Sequence, residues 1–210
     1  MALRGKVYVV VVCIAALVVI VLPYAPHSIN FQVVLSLTLL SVAVERVNLA
    51  VLSRDSVGVA MRMTLPINIA AALVAGPREA ALIGALGGFM SSRGVLVKRS
   101  FNSAALTLSS FAAAAVIQVA GDSQLRFMSD GFRPSVVAVV LLAGAVHCLV
   151  NGGLLVGVLW TAEGVAPSRV IRSALLPTAP GYLGYSSLAC SWRSCGSPWV
   201  SCRPRWSCCP

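Results

Sequence analysis

Sixteen apolar residues in unbroken succession, Val7 to Leu22, follow Arg4 and Lys6 near the start of this 210-residue chain. A helix of that length, at about 1.5 Å per residue, approaches the thickness of a bilayer's hydrocarbon core, and a small soluble domain has no means of covering it on all sides. Pro23-Tyr24-Ala25 makes a poor small-residue cleavage site and further apolar runs come after it, so the segment reads as a first membrane helix and not as a signal peptide. Hydrophobic residues make up 58% of the chain and charged residues 10%, with a mean hydropathy of +0.89. These values exclude an ordinary soluble domain and indicate an integral protein of the cell membrane.

Further apolar stretches divide the chain. A second runs from Phe31 to Leu52 and is closed by Arg54 and Asp55; Met63 to Gly76 is interrupted by Pro66 and Asn68; Glu79 to Ser92 holds only 14 residues. The last two are short for a bilayer and read either as two short spans or as a re-entrant hairpin turning at Gly76-Pro77. Phe101 to Ala120 is a cleaner fifth span, Gly121 to Pro134 a polar loop, and Ser135 to Trp160 a sixth span. Pro177 to Leu188 starts a seventh. The predicted fold is an all-α, polytopic membrane helix bundle of about six spans with the start of a seventh, occupying residues 1–186.

The formal net charge of +10 does not indicate nucleic acid, because the basic residues sit singly between apolar runs without interleaved aromatics. They act instead as topology determinants, and the lipid bilayer is the expected partner. Arg4, Lys6, Arg54, Arg93, Lys98, Arg99, Arg169 and Arg172 fall on the inferred inner side, with Arg78, Arg126 and Arg133 on the outer, which predicts a multi-pass chain with a cytoplasmic N-terminus. Arg62 is unassigned.

Polar groups at membrane depth are costly, which makes them candidates for function. Glu45 and Arg46 lie near the cytoplasmic end of the second span, where the simpler reading is that Arg46 snorkels and Glu45 pairs with Arg54 or Arg62. Asn68, Asn102, His147 and Asn151 lie deeper, with His147 and Asn151 sharing a helix face at i and i+4. They suit either a ligand-sensing pocket or interhelical hydrogen bonds, the plainer alternative. Gly84 and Gly88 form a G-x-x-x-G, as do Gly153 and Gly157, and Ala80 extends the first into a small-residue stripe; packing within one bundle explains both as well as a homodimer does. No cofactor is implied, no metal site has the required ligand spacing, and no soluble-enzyme motif is present, so the chain reads as no enzyme in itself.

The character of the chain breaks near Ser186. Residues 187–210 carry Cys190, Cys195, Cys202, Cys208, Cys209, Trp192, Trp199 and Trp206, but no acid and no periodicity, which predicts an irregular, disordered Cys/Trp/Arg tail. No C-x-x-C occurs and vicinal Cys208 and Cys209 are awkward bridge partners, so a zinc or disulfide module is the weaker reading. The 14 Arg against two Lys, with abundant Ala, Gly and Val, point to a G+C-rich gene. Back-translating Ala189 to Pro210 with such codons and shifting the frame gives LLVAVLWVAVGVLPAAVVLLP, an apolar stretch of about 21 residues, the length of one span. The tail therefore reads as the next membrane helix translated out of frame.

The segments VAGPREAALIGALGGFMSSRG, VKRSFNSAALTLSSFAAAAV, HCLVNGGLLVGVLW and LPTAPGYLGYS, over about residues 30 to 186, resemble the multi-spanning region that precedes cytoplasmic HD-type (HD-GYP-like) metal-dependent phosphohydrolase domains in actinobacteria and related bacteria. The Gly76-Pro77 turn, the Phe101-Asn102 pair and Val150-Asn151 carry the resemblance most specifically. It implies a membrane sensor or anchor whose catalytic domain, with its His-Asp metal ligands, is missing from this chain. The rival expectation, from the short interrupted helices around Pro66, is a small transport component such as the substrate-binding subunit of an uptake system.

Overall fold

The computed structural model describes residues 2–21, 29–52, 65–92, 94–120 and 134–176, and every regular element among them is helical. In chain order these are α1 (Leu3–Val21), α2 (Phe31–Leu52), α3 (Leu65–Val74), α4 (Pro77–Ser91), α5 (Leu96–Ala120), α6 (Pro134–Glu163) and α7 (Pro167–Val170), the last running on into a π-helical turn, Ile171–Leu175. The expected Cys/Trp/Arg tail and the start of a seventh span lie outside the described residues, as do Arg54, Arg62, Arg93, Arg126 and Arg133.

Three of these helices are long and apolar enough to cross a membrane: α1, α5 and Val137–Glu163 of α6. Their surfaces agree with an apolar surrounding. Val7, Val10, Val11, Ile14 and Leu17 of α1 and Leu142 and Leu149 of α6 are exposed, while the interior sets Ala71, Ala72, Ala80, Ala104, Ala105, Ala113, Ala114 and Ala143 beside larger residues such as Ile69, Ile83, Phe101 and Val140. Large apolar side chains outside and many small ones inside suit a lipid-facing bundle, where close backbone approach replaces the hydrophobic drive as the source of packing energy.

Two helices are longer than the apolar runs that predict them. α5 starts at Leu96, so it contains Lys98 and Arg99 in its first turn, and α6 starts at Pro134 and passes Trp160 to end at Glu163. Charged side chains at a helix end keep their heads in polar surroundings, so the backbone continues where the apolar run stops. Arg99 shows how: its guanidinium lies 4.3 Å from the Phe89 ring centroid and donates through Nε and Nη2 to the Phe89 carbonyl at 3.2 and 3.1 Å. That cation thus caps the last turn of α4.

α5 is the central helix, packing against α1, α3, α4 and α6. Its contact with α4 is the closest: a Cβ added at Gly84 would lie 2.6 Å from the Leu106 carbonyl oxygen and 2.9 Å from Ser110 Oγ, and one at Gly88 would lie 3.0 Å from Ser103 Cα. Ser103 Oγ donates to the Ala85 carbonyl at 2.7 Å, and Asn102 Nδ2 donates to Ser92 Oγ, which donates to the Gly88 carbonyl. The G-x-x-x-G of α4 is therefore filled from within the chain. The second one divides: Gly157 faces the Tyr8 ring of α1, whereas Gly153 is exposed and a Cβ there would have nothing within 4 Å.

These contacts also fix the ends of the bundle. Gly5 abuts Ala162, the Tyr8 and Phe101 rings lie 6.4 Å apart, and Arg99 holds Phe89. One end thus gathers the N-termini of α1 and α5 with the C-termini of α4 and α6. The α3–α4 turn lies towards the other end, where Gly76 adopts φ 103° ahead of Pro77 at the first position of α4. A left-handed backbone there favours glycine.

Gly84→Ala is expected to lower the stability of the purified chain in detergent by about 1 to 3 kcal/mol, because the added methyl meets backbone. Gly153→Ala is expected to be neutral or to stabilise by up to about 1 kcal/mol through helix propensity. Unfolding curves of the two variants beside the parent check both.

Candidate functional site

The described core falls into two apolar clusters. One joins Val9, Val12 and Ala16 of α1 to Phe101, Ala104 and Ala105 of α5. The other joins Val34, Ile69, Ala71, Ala72, Leu73, Ala80 and Ile83 of α2, α3 and α4 to Ala113, Ala114 and Ile117 of α5 and Val140 and Ala143 of α6. Between Ala105 and Ala113, α5 buries Thr107, Ser109 and Ser110, and beyond Ala143, α6 buries His147.

That interval is a polar layer at mid-bundle, and contacts tie its members into one register. His147 hydrogen-bonds the Ser109 backbone, Ser110 Oγ lies over Gly84, and Ser41 Oγ of α2 lies over Gly87. Ser41, Gly84, Ser109 and His147 all sit near the midpoints of their helices. Asn68 precedes the Gly76 turn by as many residues as Gly84 follows it, which sets it at a matching depth in the α3–α4 hairpin. Thr38 lies one turn before Ser41 on the buried stripe Val34, Thr38, Ser41, Glu45 of α2.

Some of this polarity is absorbed locally. Thr107 Oγ1 donates to the Ser103 carbonyl at 2.8 Å and Ser109 Oγ to the Leu106 carbonyl at 3.2 Å, the back-bonding that hydroxyls use inside helices. Other atoms are buried without a partner: Thr38 Oγ1, Asn68 Nδ2, Ser110 Oγ and His147 Nδ1. Each such group costs about 1 to 3 kcal/mol when nothing pairs with it, so the layer is poised to accept a hydrogen-bonding guest or water.

The residues singled out in the sequence do not form one pocket. Asn68 and His147 belong to the layer, and Asn151 is half-buried one turn further along α6. Glu45 is buried one turn beyond Ser41, and Arg46 beside it is exposed; its expected partners Arg54 and Arg62 are outside the described residues. Asn102 belongs to the lock between α4 and α5 and not to the layer. Thr38, Ser41, Ser109 and Ser110 carry no mark in the sequence beyond being polar in apolar runs. Cys13 and Cys148 are half-buried free thiols, and among the described residues no group of three or more His, Cys, Asp or Glu could hold a metal.

No protein family, no curated protein and no solved structure matches this chain.

Ser103→Ala, which removes the hydroxyl bond to Ala85, is expected to destabilise by about 0.6 kcal/mol, the average for such bonds in a membrane bundle, and by no more than about 1.7 kcal/mol. Ser110→Ala removes a hydroxyl without a partner and is expected to be neutral or slightly stabilising. Unfolding in detergent compares the two, and a larger loss for Ser110→Ala means that a guest or water pairs with that hydroxyl.

Proposed function

We propose that this chain is a membrane-embedded sensor or anchor module of a signalling protein, multi-pass with its N-terminus in the cytoplasm and non-catalytic by itself. The observation that supports it most is the mid-bundle layer in which Thr38, Asn68, Ser110 and His147 carry buried polar atoms without partners. A bundle that serves only as an anchor gains nothing from such atoms, whereas a receptor needs them to recognise a signal. The gathering of Arg4, Lys6, Lys98, Arg99, Arg169 and Arg172 at one end of the bundle supports the orientation, since Arg78 is the only basic residue described at the other. The resemblance in residues 30 to 186 suggests the output: a cytoplasmic HD-type metal-dependent phosphohydrolase, which Asn68 and His147 of the layer would govern from within the membrane.

One observation favours the transport reading as a second possibility. α3 and α4 span about 15 and 22 Å, less than a hydrocarbon core, and bury most of their surfaces against neighbouring helices. Short interrupted helices of this kind line the midplane sites of transporters.

Sequencing the transcript from codon 180 onward separates the two. The sensor reading expects a single-base shift to restore an apolar LLVAVLW-like span followed by an HD-coding sequence. A frame that holds, with no such sequence downstream, overturns it and leaves the transport component as the better account.

A further inference from the structure

The basic end of the bundle has a feature that topology alone does not require. After α6, Gly164 at φ 70° turns the chain, and the segment from Pro167 to Leu176 is held by Val170, which is only 3% exposed. Arg169 and Arg172 stand on either side of that anchor, both exposed, with the apolar Ile171 and Leu176 exposed beside them. Ser173 Oγ donates to the Arg169 carbonyl at 2.8 Å and stiffens the turn. Trp160 is exposed just before it, in the last turns of α6, where an indole belongs at the headgroup level.

The contact of Gly5 with Ala162 carries Arg4 and Lys6 to the same end, and the Tyr8–Phe101 contact carries Lys98 there. All three are exposed. The acid described beside them is Glu163, so the surface has a marked positive excess. Arg99 is engaged with Phe89 and is not part of it.

We propose that this surface, Arg169 and Arg172 with Arg4, Lys6 and Lys98 behind them, binds anionic phospholipid headgroups. Charge complementarity selects the partner. Exposed cations beside exposed apolar side chains and a tryptophan match a phosphate-bearing headgroup with its acyl chains, whereas a soluble anion would use the charges alone. Two arginines near an anionic membrane surface together strengthen binding roughly thirtyfold. The inference does not depend on the sensor reading, because none of these residues belongs to the polar layer.

The test uses the purified full chain in a neutral detergent, titrated with short-chain phosphatidylglycerol, with phosphatidylcholine, and with inorganic phosphate, binding being read by native mass spectrometry and thermal shift. Phosphatidylglycerol is expected to bind and to raise the melting temperature in a salt-sensitive way. The double variant Arg169→Gln/Arg172→Gln is expected to weaken it at least tenfold, and Arg78→Gln at the opposite end to leave it unchanged. All five cations are exposed and Arg78 is half-buried, so the unliganded melting temperatures of both variants serve as the folding control. Equal binding of phosphatidylcholine, an equal shift from inorganic phosphate, or a loss in Arg78→Gln as large as in the double variant overturns the proposal.

Discussion

The bundle depends on how closely α4 can approach α5. Gly84 and Gly88 bring the two helices to a distance at which a single methyl would strike the Leu106 carbonyl or the Ser103 backbone. At that range hydroxyl and amide side chains reach across to the opposing main chain, as Ser103 does to Ala85, and dispersion acts between backbones instead of between long side chains. α5 then serves as the post against which α1, α3 and α6 assemble. Large residues at the α4–α5 contact would move α5, and with it Ser109 and Ser110, out of register with His147.

The same geometry explains why a polar layer is tolerated. Small residues on α4 leave room for hydroxyls on both neighbours, Ser41 over Gly87 and Ser110 over Gly84. Apolar clusters above and below seal this interval from either end. In such a low-dielectric slab a hydrogen bond is strong and an orphan donor expensive, so its unpartnered atoms lower the stability of the bundle. The lock of Arg99, Asn102 and Ser103 between α4 and α5 offsets part of that cost.

Much of the architecture is legible in the sequence because long apolar runs leave a chain few alternatives. Val7 to Leu22, Phe31 to Leu52, Phe101 to Ala120 and Ser135 to Trp160 each correspond to a helix, and Gly76-Pro77 to a turn. Helix ends are less legible: Lys98 and Arg99 precede the span expected from Phe101, yet they lie in the first turn of α5 because their charges reach past the apolar run. The candidate site is legible only in part. His147 and Asn68 stand out as rare polar residues at depth, but serine and threonine inside an apolar helix back-bond so readily that Thr38, Ser41, Ser109 and Ser110 give no signal singly. The spacing of Thr38, Ser41 and Glu45 is the trace they leave, a polar stripe at helical period on a helix whose Leu35 and Leu39 face outwards. Which of two glycine pairs packs is not readable at all, since Gly84 and Gly153 differ only in what another helix places opposite them.

The length of α3 and α4 follows from their position. A helix that faces lipid must match the thickness of the hydrocarbon, but one enclosed by other helices need only satisfy its own backbone. α3 buries Ile67, Asn68, Ile69, Ala71, Ala72 and Leu73, which covers nearly its whole circumference. At the turn, Ala75 N–H donates to the Ala71 carbonyl and Ala80 N–H to the Gly76 carbonyl, while Pro77 has no donor to satisfy. A short hairpin can therefore stand at this depth without exposing polar backbone to hydrocarbon. Shortness also has a consequence for the layer. Because the hairpin turns back at Gly76, both Asn68 and the α4 glycines are delivered to mid-bundle by a stretch of chain that continuous spans could not fold into the same space.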